Sequence, residues 1–202
     1  MTCLLIDRIS ITFADAKLCF IMEINKIYPP YIYSVKYDEE TENEFDRLFD
    51  SWSDVEKILS FFESHKEYLK DDTWKKVSDP EQAASQVLHE ARKLEDLFDE
   101  LNENTKNGKE PDFDAHFKYL NGSKYQCEME YIPMKSYGTY NPSFLRIYAI
   151  KLARNTYVIT GGGIKLAHSI QDSPQIKEHV FRHIDIVRKW LKDNGIFDSE
   201  DL

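Results

Sequence analysis

The chain is poor in cysteine and has no cysteine motif. Its 202 residues include only Cys3, Cys19 and Cys127, which lie far apart and form no CxxC pair. This spacing argues against a disulfide framework or a cysteine-based zinc site, and isolated reduced thiols are typical of cytosolic proteins. A long apolar run is also missing, since none approaches the roughly 18–20 residues that a membrane-spanning helix needs. We therefore expect a cytoplasmic protein with no membrane partner.

The first 21 residues lack the uninterrupted apolar core of a signal peptide, because four charged side chains fall within them. A cleaner pattern begins at Met22. Residues 1–21 are accordingly interpreted as a loosely attached extension or a mis-assigned start, and the alternative is a first strand around Ile9–Phe13. We expect residues 22–202 to form one α+β domain with a helical insertion over residues 53–120.

Charge is not spread evenly along the chain, whose formal net charge is −10. Residues 1–117 carry 14 basic and 27 acidic side chains, whereas residues 118–192 carry 12 basic and 5 acidic ones. A basic half on an acidic body can bind RNA locally. The alternative is that the solvated helices happen to be acidic and the strands happen to be rich in lysine.

Hydrophobic periodicity and capping residues predict the order β–α–α–β–β–β–α. The predicted fold has an N-terminal strand, a helical hairpin, a three-stranded antiparallel sheet and a C-terminal helix. In chain order, the predictions are a strand over 31–37, an acidic turn over 38–44, a helix capped at Ser53, a helix capped at Ser78 that runs to about Asn102, a helical turn within 113–120, strands over 124–132, 144–152 and 155–160 with a loop over 133–143, and a helix from Ser173-Pro174 to Gly195.

The most informative segment is the predicted hairpin from Phe144 to Leu166. Alternation in its first strand places Arg146 beside Tyr148 on a half-buried sheet, an arrangement that a packed core does not require. The second strand leads into three consecutive glycines at 161–163, and Lys165 follows closely. These residues favour a phosphate-binding site at the end of the hairpin. The glycines are equally compatible with a bulge where the strand bends under neighbouring backbone.

Better-known ligand motifs are excluded. The glycine run does not match GxxxxGK[ST], and no helix or parallel βαβ unit follows it, so neither a Walker loop nor a dinucleotide fingerprint is predicted. His179 and His183 have a spacing that allows two imidazoles to share a metal. No third ligand has a recognisable spacing, and both histidines fall at the margin of an apolar helix face. We predict packed histidines, no metal and no cofactor.

The remaining candidates combine cations with aromatic rings. Arginine and lysine neutralise phosphates, and tyrosine rings offer faces on which unpaired bases stack. Cleavage of RNA by its own 2′-hydroxyl also needs a proton acceptor, a cation beside the phosphorane and a proton donor. The candidate catalytic residues are Arg146, Lys165 and His168, and the candidate RNA-binding residues are Tyr137, Tyr140, Tyr148, Lys151 and Arg154.

The hairpin and the order of elements resemble the RelE/HigB-like toxins, above all the phage-derived HigB-like branch, in an enlarged form. The resemblance is carried by Arg146-Ile147-Tyr148, by the strand and glycine turn that end at Lys165, and by Ser173-Pro174. Residues 22–198 are also similar to a group of mobile-element proteins of Bacteroides-type bacteria that share the ITGG-IK hairpin.

The resemblance implies a RelE-like fold and a metal-independent endoribonuclease that cuts messenger RNA, commonly on the ribosome, and is silenced by an antitoxin protein. It assigns phosphate contacts to Arg146 and Lys165. The alternative function is a non-catalytic interaction module of a mobile element. In that case the acidic surface around Glu90–Glu103 would bind a basic protein partner or mimic nucleic acid.

Overall fold

The computed structural model describes residues 22–38, 40–77, 79–120, 130–177 and 180–202. The predicted strand at Ile9–Phe13, the cap at Ser78, residues 124–129 of a predicted strand and His179 lie outside these ranges. The strands are β1 (Met22–Tyr28), β2 (Ile32–Tyr37), β3 (Phe117–Tyr119), β4 (Ile132–Tyr137), β5 (Leu145–Ala153) and β6 (Thr156–Ile164), and the α-helices are α1 (Glu44–Ser53), α2 (Val55–Ser64), α3 (Pro80–Lys106) and α4 (Val180–Asp193).

The strands form one six-stranded mixed sheet in the order β1-β2-β6-β5-β4-β3. The α+β class is confirmed, but the predicted three-stranded antiparallel sheet is wrong. Strand β2 pairs in parallel with β6, from Ile32 opposite Tyr157 to Ser34 opposite Ile159, and this pairing joins β1 and β2 to the antiparallel strands. Local periodicity cannot reveal a pairing between segments so distant in the chain.

Alternation along the strands divides the apolar side chains between the two faces of the sheet. On one face Ile147 and Ala149 pack in the core formed with α1, α2 and α3, as predicted for this side of the hairpin. On the other face Tyr148 and Ile150 pack beneath α4. Arg146 shares the α4-facing register of Tyr148 and Ile150, so its placement follows from the strand period.

Helix boundaries depend on aspartate caps that the sequence reading missed. Asp54, rather than Ser53, caps α2 by accepting a hydrogen bond from the Lys57 backbone N–H, and Asp79 caps α3 through Gln82. Helix α1 occupies residues that follow the predicted acidic turn. It begins after Asn43, whose side chain accepts from the Asp46 N–H. Asn43 and Asp46 therefore supply the cap of a helix that was not predicted.

The three glycines lie inside β6 rather than after it, and the strand runs to Ile164 instead of ending at Thr160. A Cβ on Gly162 would lie 2.3 Å from the Arg146 carbonyl oxygen and 2.9 Å from Leu48 Cδ1. The close approach of β5 and α1 therefore requires glycine at this position. The alternative of a bulge is also realised, because the β5–β6 register shifts between Tyr148 and Ala149.

Two other predictions need correction. The first part of the predicted loop over 133–143 is strand, because β4 runs through Tyr137 and pairs with β5 along its whole length. The last helix does not begin at Pro174: residues 174–177 form a turn, and the described helix starts at Val180. Gly195, with φ 68°, follows its C-terminus as predicted.

Within the described ranges, no helix combines the length and apolar character needed to span a membrane.

Candidate nucleic-acid interface

Four cationic side chains meet on the α4-facing side of the sheet, at the end of the hairpin away from its turn. Strand register explains the arrangement: Lys118 in β3 pairs with Lys135 in β4, and Lys135 pairs with Tyr148 in β5. Two positions further along, Tyr137 pairs with Arg146. Lys165 follows β6, and its backbone N–H donates to the Phe144 carbonyl at 2.7 Å. We call Lys118, Lys135, Arg146 and Lys165 the basic cluster.

The Tyr137 ring lies at the centre of three members of the basic cluster. The Arg146 Cζ atom is 4.2 Å from the ring centroid, Lys118 Nζ is 5.5 Å away and Lys135 Nζ is 5.8 Å away. All three distances are within the range of a cation–π interaction, in which the negative ring face attracts the cation. Tyr137 therefore helps to gather like charges that would otherwise repel one another.

Arg146 is held by backbone carbonyl groups. Its Nη1 donates to the Ser143 oxygen at 2.9 Å and to the Leu145 oxygen at 2.6 Å. Burial lowers the pKa of Arg146, and Glu90 is near enough to oppose that effect electrostatically. In the described parts of the chain no ion pair joins Arg146 to α3, so its charge is fixed in position but not neutralised.

The turn after β6 positions Lys165. Gly163 has φ 157°, and a Cβ there would lie 2.8 Å from Gln175 Oε1, so glycine admits the segment that folds back over the strand. Gln175 Oε1 accepts from the Ile164 N–H, and Lys165 Nζ donates to the His168 carbonyl, each at 2.5 Å. Burial, followed by the charges of Arg146 and Lys135, lowers the pKa of Lys165 to about 8. Lys165 is therefore partly neutral near physiological pH.

Tyr148 belongs to this region but is not exposed. It is 1% exposed and packs with Leu120 and with Val180 and Ile184 of α4, so its ring face cannot stack on a base as predicted. Its hydroxyl is buried and, among the described residues, has no hydrogen-bond partner. Burial raises the pKa of Tyr148 far above its ordinary value, although Arg146 opposes the shift. The hydroxyl therefore stays protonated and can act as a donor.

Lys151 and Arg154 lie at the opposite end of the hairpin, with Lys151 on the other face of the sheet. Lys151 Nζ is 2.7 Å from an Asp114 carboxylate oxygen, and Arg154 forms an exposed pair with Glu110 at 3.2 Å. Five residues of strand, roughly 17 Å, separate Lys151 from Arg146. The structure therefore divides the predicted RNA-binding residues into two groups.

Asp114 connects several parts of the turn end. Its carboxylate also accepts from the Tyr157 hydroxyl at 2.6 Å and from the Asn155 N–H at 2.9 Å. Asn155, with φ 58°, in turn accepts a hydrogen bond at its side-chain oxygen from the Asp114 N–H. Burial raises the pKa of Asp114, but the hydrogen bonds from Lys151 and Tyr157 outweigh it and the net shift is downward. Lys151 is thus part of a neutralised structural network.

Two other predicted residues lie away from the basic cluster. The backbone oxygen of His168 accepts a hydrogen bond from Lys165 Nζ, while the side chain of His168 is exposed. Hydrogen bonds from Thr73 lower the pKa of Asp71, and His168 adds a smaller contribution. Tyr140 is 41% exposed and lies 5.7 Å from both the Lys93 ammonium and the His89 ring of α3, measured to its ring centroid.

Lys118 and Lys135 were missed by the sequence reading. Lys135 fell within the predicted loop, and Lys118 fell within the predicted helical turn. Lys135 and Tyr137 alternate about Ser136, which is buried on the other face. This alternation is the signal that could have placed the Lys135 and Tyr137 side chains on the face of Arg146.

Of the histidine pair considered for a metal, the structure describes His183. Its ring packs at 4.4 Å from the Tyr37 ring, measured between centroids, while Tyr37 donates its hydroxyl proton to the Thr160 carbonyl. No group of three or more histidine, cysteine, aspartate or glutamate side chains is placed to hold a metal ion in the residues that the structure covers.

The comparisons with known proteins identify no relative. No protein-family model matches the chain, and no curated protein or solved structure shows significant similarity to it. The class defined by the fold and the site is therefore an α+β protein with a six-stranded mixed sheet and a basic cluster on one face.

Proposed function

We propose that the protein is a toxin-like RNA-binding protein that holds an RNA phosphate in the basic cluster. One observation carries this proposal: within the described residues, none of the four cations forms an ion pair. The nitrogens of Lys135, Arg146 and Lys165 donate only to backbone carbonyls, and three of the cations surround Tyr137. A carbonyl orients a cation without cancelling its charge, which leaves the charge available to an anionic ligand.

The hairpin resemblance supports the choice of RNA among anionic ligands. In the RelE/HigB-like toxins, the residues corresponding to Arg146 and Lys165 are expected to contact phosphates, and here the two side chains are close enough for Arg146 to depress the pKa of Lys165. The proposal therefore includes the ribosome and messenger RNA as the setting, and an antitoxin protein as a partner.

The catalytic form of the proposal is metal-independent cleavage at the bound phosphate. The RNA 2′-oxygen attacks phosphorus, the bond to the 5′-oxygen breaks, and the products are a 2′,3′-cyclic phosphate and a 5′-hydroxyl end. Neutral Lys165 accepts the 2′-hydroxyl proton, and Arg146 stabilises the charge that develops on the phosphorane. Tyr148 supplies the proton that the departing 5′-oxygen takes up. His168 is omitted from this scheme because its contact with Lys165 is made through its backbone oxygen.

A binding experiment with matched charge variants tests the proposal. Fluorescence anisotropy would compare a labelled single-stranded RNA bound to the wild type, to Arg146→Gln/Lys165→Gln and to Lys151→Gln/Arg154→Gln. We expect the first variant to lose at least about tenfold in affinity, since it removes two phosphate contacts, and the second to retain wild-type affinity. Equal losses in the two variants would contradict a specific site, provided that circular dichroism shows both to be folded.

Cleavage is tested separately. Incubation of the same RNA with wild-type protein in EDTA should give fragments with cyclic phosphate and 5′-hydroxyl ends, and Arg146→Gln/Lys165→Gln should give none. In cells, induction of the wild type should slow growth and shorten messenger RNA. A second culture would express Arg146→Gln/Lys165→Gln. Unchanged growth and unchanged messenger RNA in both cultures would exclude the toxin activity.

The acidic helices favour a second candidate function, a non-catalytic protein-interaction module. Helices α1 and α3 expose carboxylates that crowd one another: burial raises the pKa of Glu95, and Asp99, Asp96 and Asp50 raise it further. Glu90, included in the sequence prediction of this surface, is instead fully buried and bonded to Gln86 and Ser143. A basic partner would relieve the repulsion on the exposed part. Affinity capture from the native host that yields no stable partner would count against this function.

A further inference from the structure

The composition of the basic cluster bears on which RNA phosphate it fits best. An internal phosphodiester carries one negative charge and two non-bridging oxygens. A terminal phosphomonoester carries about −1.5 to −2 charges at pH 7 and three strong acceptor oxygens. Four cations without a carboxylate partner in the described residues exceed what a single diester neutralises, and Arg146 and Lys135 already disfavour the charge of Lys165. A dianion relieves this repulsion better than a monoanion.

The Tyr148 hydroxyl gives an independent indication of a ligand. Buried hydroxyl groups nearly always have a hydrogen-bond partner, because leaving one unsatisfied is unfavourable. Tyr148 is 1% exposed, its hydroxyl has no partner within the described part of the chain, and its backbone pairs with Lys135 of the cluster. Tyr148 lies two residues from Arg146 on the same face of β5, and Tyr137 is the cross-strand partner of Arg146. A ligand oxygen among these side chains would satisfy the donor.

The donors of the cluster are held in place in advance. Lys135 Nζ donates to the Leu120 oxygen at 3.1 Å, and Arg146 and Lys165 are held in the same way by other carbonyls. An ammonium has three N–H donors and a guanidinium has five, so each group retains donors for a second acceptor. Together with the Tyr148 hydroxyl, these groups supply donors from two strands, β4 and β5, and from the turn after β6 for three phosphate oxygens.

We infer that the basic cluster recognises the terminal phosphate of an RNA chain, a phosphomonoester, with the Tyr148 hydroxyl as one of its donors. This inference rests on the proposed RNA binding and is independent of cleavage. An RNA end held in this way presents no further nucleotide as a leaving group, so phosphorylated ends would occupy the site without being cut.

Oligonucleotides that differ only at their ends test the inference. The full-length protein would be titrated into one single-stranded RNA sequence, labelled internally, carrying a 5′-phosphate, a 3′-phosphate or hydroxyls at both ends. We expect one phosphorylated form to bind at least tenfold more tightly than the dihydroxyl form. Tyr148→Phe should reduce that preference while circular dichroism shows unchanged folding, and Tyr140→Phe, which alters a hydroxyl outside the cluster, should leave it intact.

The other outcomes separate the two claims. Equal affinity for all three RNAs would overturn the terminal-phosphate inference and leave the proposed RNA binding standing. Absence of binding to every RNA would overturn both. A nucleoside monophosphate that displaces the RNA at equal concentration would show that the ligand is a free nucleotide, and would overturn recognition of a chain end.

Discussion

The two ends of the β5–β6 hairpin carry similar cations in opposite settings. At the turn end Lys151 and Arg154 are paired with Asp114 and Glu110. At the other end Arg146 and Lys165 contact carbonyl groups and form no ion pair among the described residues. Residue type is therefore a poor guide to a binding role. What distinguishes the two ends is whether the fold itself neutralises the charge.

The largest expected effect is the loss of the turn-end network. Asp114→Ala should lower the free energy of unfolding by about 3 kcal/mol, because Lys151, the Tyr157 hydroxyl and the Asn155 N–H all lose their acceptor. Glu110→Ala, which breaks only the exposed pair, should cost less than about 0.5 kcal/mol. Urea denaturation measures both, and equal losses would show that Asp114 is not a structural centre.

Replacement of two buried tyrosines by phenylalanine should change the stability of the protein in opposite directions. Tyr157 donates its hydroxyl proton to Asp114, whereas the Tyr148 hydroxyl has no partner in the residues that the structure describes. Tyr157→Phe should destabilise the protein by about 2 kcal/mol, while Tyr148→Phe should stabilise it by about 1 kcal/mol by removing an unsatisfied buried group. Urea denaturation of the two variants in parallel measures both changes in the free energy of unfolding. A loss of stability in Tyr148→Phe would mean that its hydroxyl has a partner in the free protein.

The smallest effect concerns pH. The pKa of Lys165 falls from 10.5 to about 8 on folding, so the unfolded chain binds the extra proton between these values and stability rises with pH across that window. Lys165→Met should therefore raise Tm by about 2 °C at pH 7, and the gain should shrink as pH rises from 8 to 10.5. Lys151→Met should lower Tm at pH 7. Calorimetry at several pH values measures the gain in Tm of Lys165→Met. A gain that does not change with pH would contradict the burial of a charged Lys165.

The sequence predicted what depends on local periodicity. The alternation in β5 correctly placed Arg146 on the same face as Tyr148, and Gly195 correctly marked the end of α4. The six-stranded sheet was missed because the parallel β2–β6 pairing has no local pattern and because β4 continues through Pro133, which was interpreted as the start of a loop. That error also hid Lys135.

The sequence predicted only part of the candidate site, because some features of the site depend on tertiary packing. Arg146, Lys165 and Tyr137 were named from the sequence, and the structure places them together. Side-chain partners are set by tertiary packing, so the sequence did not show that Asp114 would neutralise Lys151. Burial depends on packing as well: α4 covers Tyr148, which the strand pattern had presented as a stacking residue.

The salt dependence of RNA affinity tests the central claim most directly, that charge at only one end of the hairpin is available to a ligand. For single-stranded RNA, the slope of log K against log salt concentration changes by about 0.7 for each phosphate contact. Arg146→Gln/Lys165→Gln should make the slope shallower by about 1.4, and Lys151→Gln/Arg154→Gln should leave it at the wild-type value. The same slope in both variants would contradict the account.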